Sequence, residues 1–194
     1  MPRSAKVERQ TGETDVRVEL VLDGEGHADV ETGIGFLDHM LTALAKHGRF
    51  DLQLSCEGDL EVDDHHTAED TALALGTAFD KALGERRGIR RFGHALAPLD
   101  EALARVVVDF SGRPSAHVDA GFRRERIGDI ATENLTHFFL SLATTARMTL
   151  HVDVLKGEND HHRAEAAFKA LALALRDAVA RDGSAEVPST KGVL

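Results

Sequence analysis

The chain has 194 residues, 42% hydrophobic and 29% charged, the make-up of an ordinary globular protein long enough to bury a core in one unit or two fused halves. No stretch is long and apolar enough to cross a membrane and no signal-peptide pattern is present, so neither a membrane protein nor an exported one is expected. The formal charge of −10 would repel a nucleic acid backbone, whose binding depends on Lys and Arg neutralising phosphates, so nucleic acid is not an expected partner.

In chain order, Val16–Leu22 alternates Val16, Val18, Leu20 and Leu22 on one face and predicts a strand, with a second short strand near His27–Glu31 after the DGEG turn. Gly33–Gly48 carries Ile34, Leu37, Leu41 and Leu44 at helical spacing, with Gly48 as the stop. Phe50–Cys56 alternates again. Its apolar beat includes Cys56, the one cysteine, which can form no intramolecular disulfide and makes a reduced, cytoplasmic setting the default. His65–Leu83 is helical, with Ala72, Leu75, Phe79 and Leu83 on one side. The Gly- and Arg-rich stretch Gly84–Pro98 joins two halves, residues 1–90 and 91–194, and supplies a strand of its own. Arg105–Phe110 and Ser115–Asp119 then read as strands, Asp129–Ala146 as a helix, Met148–Val154 as a strand and His161–Ala180 as a helix. The fold class is α+β, each half a sheet with its helices on one face.

The halves share more than an element order. DHHTAED at Asp64–Asp70 recurs as DHHRAEA at Asp160–Ala166. Aligning the segment from Phe36 with that from Asn134 places His39 on His137, Leu44 on Leu142, Phe50 on Met148, Leu52 on Leu150 and Leu54 on Val152, which marks an internal duplication.

Helical geometry explains the use of the repeated phrase. In HHxxE the glutamate is i+4 from the first histidine and i+3 from the second, on a face with both. Adjacent histidines diverge by roughly 100° around a helix, so two ions are a more natural reading than one. Imidazole and carboxylate without thiolate suit Mn, Fe, Co, Ni or Zn better than Ca or Mg. His65, His66, Glu69, His161, His162 and Glu165, with the repeat-matched His39 and His137, suffice for two centres of three His and one Glu, each with open positions. A lone copy of HH at a helix start is usually polar surface, and a lone His39 or His137 a core histidine; the matching register is what favours ligands. Asp64 and Asp160, just before the pairs, are expected as helix N-caps. His27, His47, His94, His117 and His151 lack such a pattern and read as surface residues, although His47 lies two turns along from His39 on the same side. Arg86, Arg87, Arg90, Arg123, Arg124 and Arg126 read as solvated charge.

RQTGETDV, GIGFLDHML, DDHHTAEDTALALG, PLDEALARVVVDFSGRP, ENLTHFF, NDHHRAEAAFKALA and PSTKGVL together resemble imidazoleglycerol-phosphate dehydratase of histidine biosynthesis, in its monofunctional form. The resemblance covers nearly the whole chain and preserves every metal ligand. It implies a duplicated half of the ribosomal protein S5 domain 2-like type, with three strands followed by helix, strand and helix. It also implies two Mn²⁺ per active site, held by His39, His65, His66, Glu69, His137, His161, His162 and Glu165. The partner it implies is further copies of the chain, in a cage of trimers (a 24-mer) with sites shared between subunits.

For the chemistry, the resemblance implies dehydration of imidazole glycerol phosphate to imidazole acetol phosphate through a metal-held imidazolate and a diazafulvene-like intermediate. Glu165, Glu13 and Asp100 are the implied proton-moving carboxylates; from composition alone Glu13 and Asp100 are ordinary surface acids. Substrate contacts are implied at Glu13, His39, His65, Glu69, Arg91, Arg113, Lys169, Ser189 and Lys191, the last two in a tail expected to order over the substrate. A dinuclear hydrolase would use similar ligands against a phosphate ester, and a metal-buffering assembly would explain the His/Glu clusters but not the phosphate-type Arg, Lys and Ser positions.

Overall fold

A computed structural model describes residues 3–194. The first half runs β1 (Ser4–Gln10), β2 (Thr14–Val21), β3 (Ala28–Glu31), α1 (Gly35–Gly48), β4 (Asp51–Gly58) and α2 (His65–Leu83). The second repeats it as β5 (Phe92–Leu99), β6 (Ala102–Asp109), β7 (Ser115–Asp119), a small hairpin of β8 (Arg126–Ile127) and β9 (Ile130–Ala131), α3 (Thr132–Thr145), β10 (Thr149–Lys156) and α4 (Asp160–Val179). The sheet orders are the same, β1-β2-β4-β3 and β5-β6-β10-β7, each with one parallel pair at the edge.

The strands form where the alternation predicts, and their inward residues, among them Val16, Val18 and Leu20 in one sheet and Ala104, Val106 and Val108 in the other, are buried. The pattern did not reveal β1, because Ser4–Gln10 is an edge strand whose one buried residue is Val7. The third helix starts later than expected, at Thr132 instead of Asp129, because Gly128 takes a positive φ of 57° and turns the preceding residues into the β8–β9 hairpin.

Helices cover one face of each sheet and meet in the middle, α2 against α3 and α1 against α4, so that one hydrophobic core runs through both halves. Two glycines permit the closest approaches. A Cβ at Gly76 would overlap Thr145 Oγ1 and come within 2.6 Å of Leu142 O, and one at Gly93 would overlap Ala174 O, so α2 lies tight on α3 and α4 on β5. Duplication persists in the connections: Arg49 after α1 and Arg147 after α3 both adopt positive φ, 58° and 51°, and the next amide in each case, Phe50 or Met148, donates back to Ala45 O or Ala143 O.

The outer faces have diverged. Arg17, Glu19, Asp29, Glu31 and Gln53 lie on the first sheet's outer face, whereas the second exposes Phe92, Leu96, Val107 and Leu155. Arg86 is a correction to the sequence reading. It is 2% exposed and donates to Phe110 O, Arg147 O and Ala146 O while pairing with Asp80, so its charge is buried and satisfied instead of solvated.

Candidate metal centre

The helix pairs bring the predicted ligands together across the halves. His39 on α1 meets the second half's motif on α4: its Nε2 lies 3.3 Å from Glu165 Oε2, and His161 Nε2 lies 3.2 Å from the same oxygen. Reciprocally, His137 on α3 meets the first half's motif on α2, with its Nε2 3.1 Å from Glu69 Oε1 and His65 Nε2 3.7 Å from Glu69 Oε2. In each trio the donor atoms all lie within 4.8 Å of one another. Atoms about 2.1 Å from a common ion sit roughly 3 to 3.5 Å apart, so both trios fit a divalent transition metal, and the donor set of nitrogen and oxygen agrees.

The second histidine of each pair turns away, as the helical angle between neighbours requires. His66 Nδ1 lies 3.0 Å from Asp59 Oδ2, and its Nε2 lies 3.6 Å from Glu13 Oε1. His162 Nδ1 lies 2.7 Å from Glu101 Oε2, and its Nε2 lies 3.9 Å from Asp100 Oδ2. The acidic neighbours raise both imidazole pKa values, through the bond to Asp59 for His66 and to Glu101 for His162. Each trio thus joins two histidines and one glutamate within the chain, and His66 and His162 remain outside both.

Glu165 is mostly buried, and Lys169 one turn along grips its other oxygen at 2.7 Å. Burial pushes its carboxyl pKa up, but the Lys169 bond and charge outweigh it and the net shift is downward. His65 is oriented from behind, its Nδ1 3.0 Å from Asn134 Oδ1.

The expected N-caps are not caps. Asp64 accepts from Ala131 N and Asn134 Nδ2 and pairs with Arg126, and Asp160 accepts from the backbone of Arg123 and Arg124, so both carboxylates tie α2 and α4 to the start of α3 and the segment before it. Burial acts to raise the Asp64 pKa, yet the Asn134 and Ala131 bonds hold it below the usual range. Asn159 caps α4 instead, accepting from His161 N. Asp64 stands immediately before α2 and Asp160 is already the first residue of α4, and both are buried against the segment that precedes α3.

A model of the family described as imidazoleglycerol-phosphate dehydratase matches residues 32–175. The chain belongs to this family. It is 59% identical to the dehydratase of Phaffia rhodozyma over 99% of this chain and 96% of that one, and 57% identical to that of Salinibacter ruber over 100% and 96%. It is also 61% identical to the Phytophthora nicotianae protein, of which it spans 42%. Among solved structures, it matches the dehydratase of Pyrococcus furiosus with a TM-score of 0.84 at 41% identity, covering 97% of this chain and 100% of that one. The Staphylococcus aureus enzyme gives 0.81 at 34%, covering 92% and 99%. The chain is accordingly a hydro-lyase that dehydrates imidazole glycerol phosphate in histidine biosynthesis. No helix among the described residues is long and apolar enough to cross a membrane.

The remaining predicted residues of the dehydratase divide between two ends of the molecule. Glu13 and Asp100 stand on the β1–β2 and β5–β6 hairpins beside His66 and His162, and Lys169 borders the Glu165 trio. Arg91 lies elsewhere: its amide donates to Ala178 O near the end of α4, and its guanidinium grips Asp109 at 2.6 Å and Pro188 O at 2.9 Å. The tail carrying Ser189 and Lys191 folds back there, reaching Gly112 beside Arg113 with Leu194. From Glu165 to Ala178 along α4 is roughly 20 Å at the helical rise, too far for one small substrate to touch both. His47 joins neither trio, and His117 and His151 face each other on the second sheet's exposed surface. Asp59, Glu101 and Asn134 were not anticipated; their only sequence signal is an acid or amide near each motif, which is too common to single out.

Proposed function

We propose that the dehydratase carries two Mn²⁺ per active site and that each site is assembled between copies of the chain, in a cage of trimers reaching a 24-mer. The observation that carries this is the incomplete trio: two histidines and a glutamate converge, the third histidine points outward, and Arg91 with the tail lies roughly 20 Å away along α4. A neighbouring copy supplies what each chain lacks. His39, His161 and Glu165 hold one ion and His65, Glu69 and His137 the other, completed by His66 and His162 of adjacent copies. We place the join between half-repeats at residues 90 and 91, and the setting of the enzyme in the cytoplasm, in keeping with the buried free thiol of Cys56.

The two trios would hold the divalent ions, and bound ions would supply the Lewis acidity that favours a deprotonated imidazole ring, the state from which loss of hydroxide to a diazafulvene-like species would be eased. The chain's carboxylates then do the proton work. Glu165 takes the proton from the side-chain carbon, with Lys169 holding its second oxygen, and Glu13 or Asp100 protonates the departing hydroxyl. Arg91, Arg113, Ser189 and Lys191 bind the phosphate, the arginine fork matching its oxygens. His39, His65, Glu69 and Glu13 line the ring and glycerol portions.

The test is turnover of imidazole glycerol phosphate to imidazole acetol phosphate on chelator-stripped protein, then on the same sample resupplied with manganese. Activity that vanishes and returns supports the reading. Release of inorganic phosphate in place of the ketone would turn it toward a dinuclear hydrolase.

A further inference from the structure

The two histidines outside the trios are held from behind in the same way. His66 Nδ1 lies 3.0 and 3.2 Å from the two oxygens of Asp59, and His162 Nδ1 lies 2.7 Å from Glu101 Oε2. A carboxylate only accepts, so in the neutral ring the proton sits on Nδ1 and the lone pair on Nε2. Nε2 is also the atom that His39, His65, His137 and His161 present to their glutamates. All six rings therefore offer the same ligand atom.

The two acids come from different places in the duplication. Asp59 follows β4, whereas Glu101 lies on the β5–β6 hairpin, immediately before β6. The position matching Glu101 in the first half is Glu13, immediately before β2, and Glu13 stands on the opposite edge of its histidine, nearest Nε2. One requirement has thus been met twice from unrelated elements. Glu101 is itself fixed, because its Oε1 accepts the amides of Glu158 and Asn159 at 3.0 and 2.9 Å, leaving Oε2 for the ring.

We propose that Asp59 and Glu101 are positioning residues that fix the tautomer of His66 and His162 and hold each Nε2 ready for a metal ion on a neighbouring copy. This rests on the metal reading above and adds two residues to it. The decisive variant is Glu101→Gln. Its oxygen keeps the two backbone donors, so its NH₂ faces His162 Nδ1, which must then accept, and the ring proton moves to Nε2.

The experiment measures Mn²⁺ alone, by competition against a chelator on full-length wild type, Glu101→Gln and Asp59→Ala, together with ¹⁵N NMR of the histidine rings in metal-free protein. The expected result is Mn²⁺ affinity weakened about 10- to 100-fold in both variants, and His162 switching tautomer in Glu101→Gln with the metal-free melting temperature retained. If Glu101→Gln does not fold, Asp59→Ala carries the same affinity expectation for His66. Wild-type Mn²⁺ affinity in the variants overturns the proposal, with or without a tautomer change. A wild-type protein that binds no Mn²⁺ overturns the metal reading instead, so the two failures are distinguishable.

Discussion

His65 and Asn134 are joined by a bond of 3.0 Å between the imidazole Nδ1 and the amide oxygen, while the same amide donates at 2.9 Å to the buried carboxylate of Asp64. Asn134 therefore orients His65 on α2 from a position on α3, three residues before His137. Asn134→Ala should weaken Mn²⁺ binding about 10-fold or more and cost about 1 to 3 kcal/mol of stability, because the Asp64 carboxylate loses a buried donor. Chelator competition and urea unfolding check the two parts separately.

His66→Ala and His162→Ala should each abolish turnover, by more than about 100-fold, with secondary structure unchanged by circular dichroism. Neither ring packs in the core, so the loss should fall on metal stoichiometry and assembly mass. Wild-type turnover in either variant would contradict the completion of the trios by outward histidines.

Gly76→Ala should act at a distance from the ligands. The added methyl would overlap Thr145 Oγ1 and press on Leu142 O, forcing α2 off α3 at a cost of about 1 to 3 kcal/mol. Because His65 and Glu69 ride on α2 and His137 on α3, Mn²⁺ should bind more weakly at that trio. Calorimetric titration resolving the two sites would show the asymmetry.

Removal of the chain after Val187 takes away Ser189, Lys191 and the Pro188 carbonyl that holds Arg91. The truncated protein should fold and bind Mn²⁺ but lose most of its kcat/KM. Intact activity would remove the tail from the phosphate site.

Acid stability should show the signature of Asp23. The bond from Arg3 holds its carboxyl near about 2, below the ordinary 3.8. A carboxyl depressed on folding contributes stability that is present above the ordinary value and fades as pH falls from about 4 toward 2. Asp23→Asn should flatten that part of the melting-temperature profile by lowering the neutral limb toward a value that meets wild type near pH 2, and the drop should be small because the pair is partly exposed.

The repeated HHxxE and its matched His39 and His137 made the members of both trios legible in the sequence, because helical spacing dictates which side chains share a face. The strands legible from alternation were those with one buried face; β1 hid because only Val7 on it is buried. Which histidine joins which motif was not legible, since it depends on α1 packing on α4 and α2 on α3, a tertiary fact with no local signal. The same holds for Asp59 and Glu101, ordinary acids until the backbone brings them behind an imidazole. Asp64 and Asp160 looked like caps by position and turned out to tie loops, because a buried carboxylate takes whichever amides surround it.

The reciprocal pairing of the halves couples their histories. Each half contributes to both trios, one histidine to the other's motif and one motif to the other's histidine, so a pair of identical halves related by a twofold axis would already have formed both. A substitution at a trio position in one half therefore disturbs a cluster that the other half shares. The outer faces carry no such mutual dependence, and there one sheet is charged while the other exposes Phe92, Leu96, Val107 and Leu155.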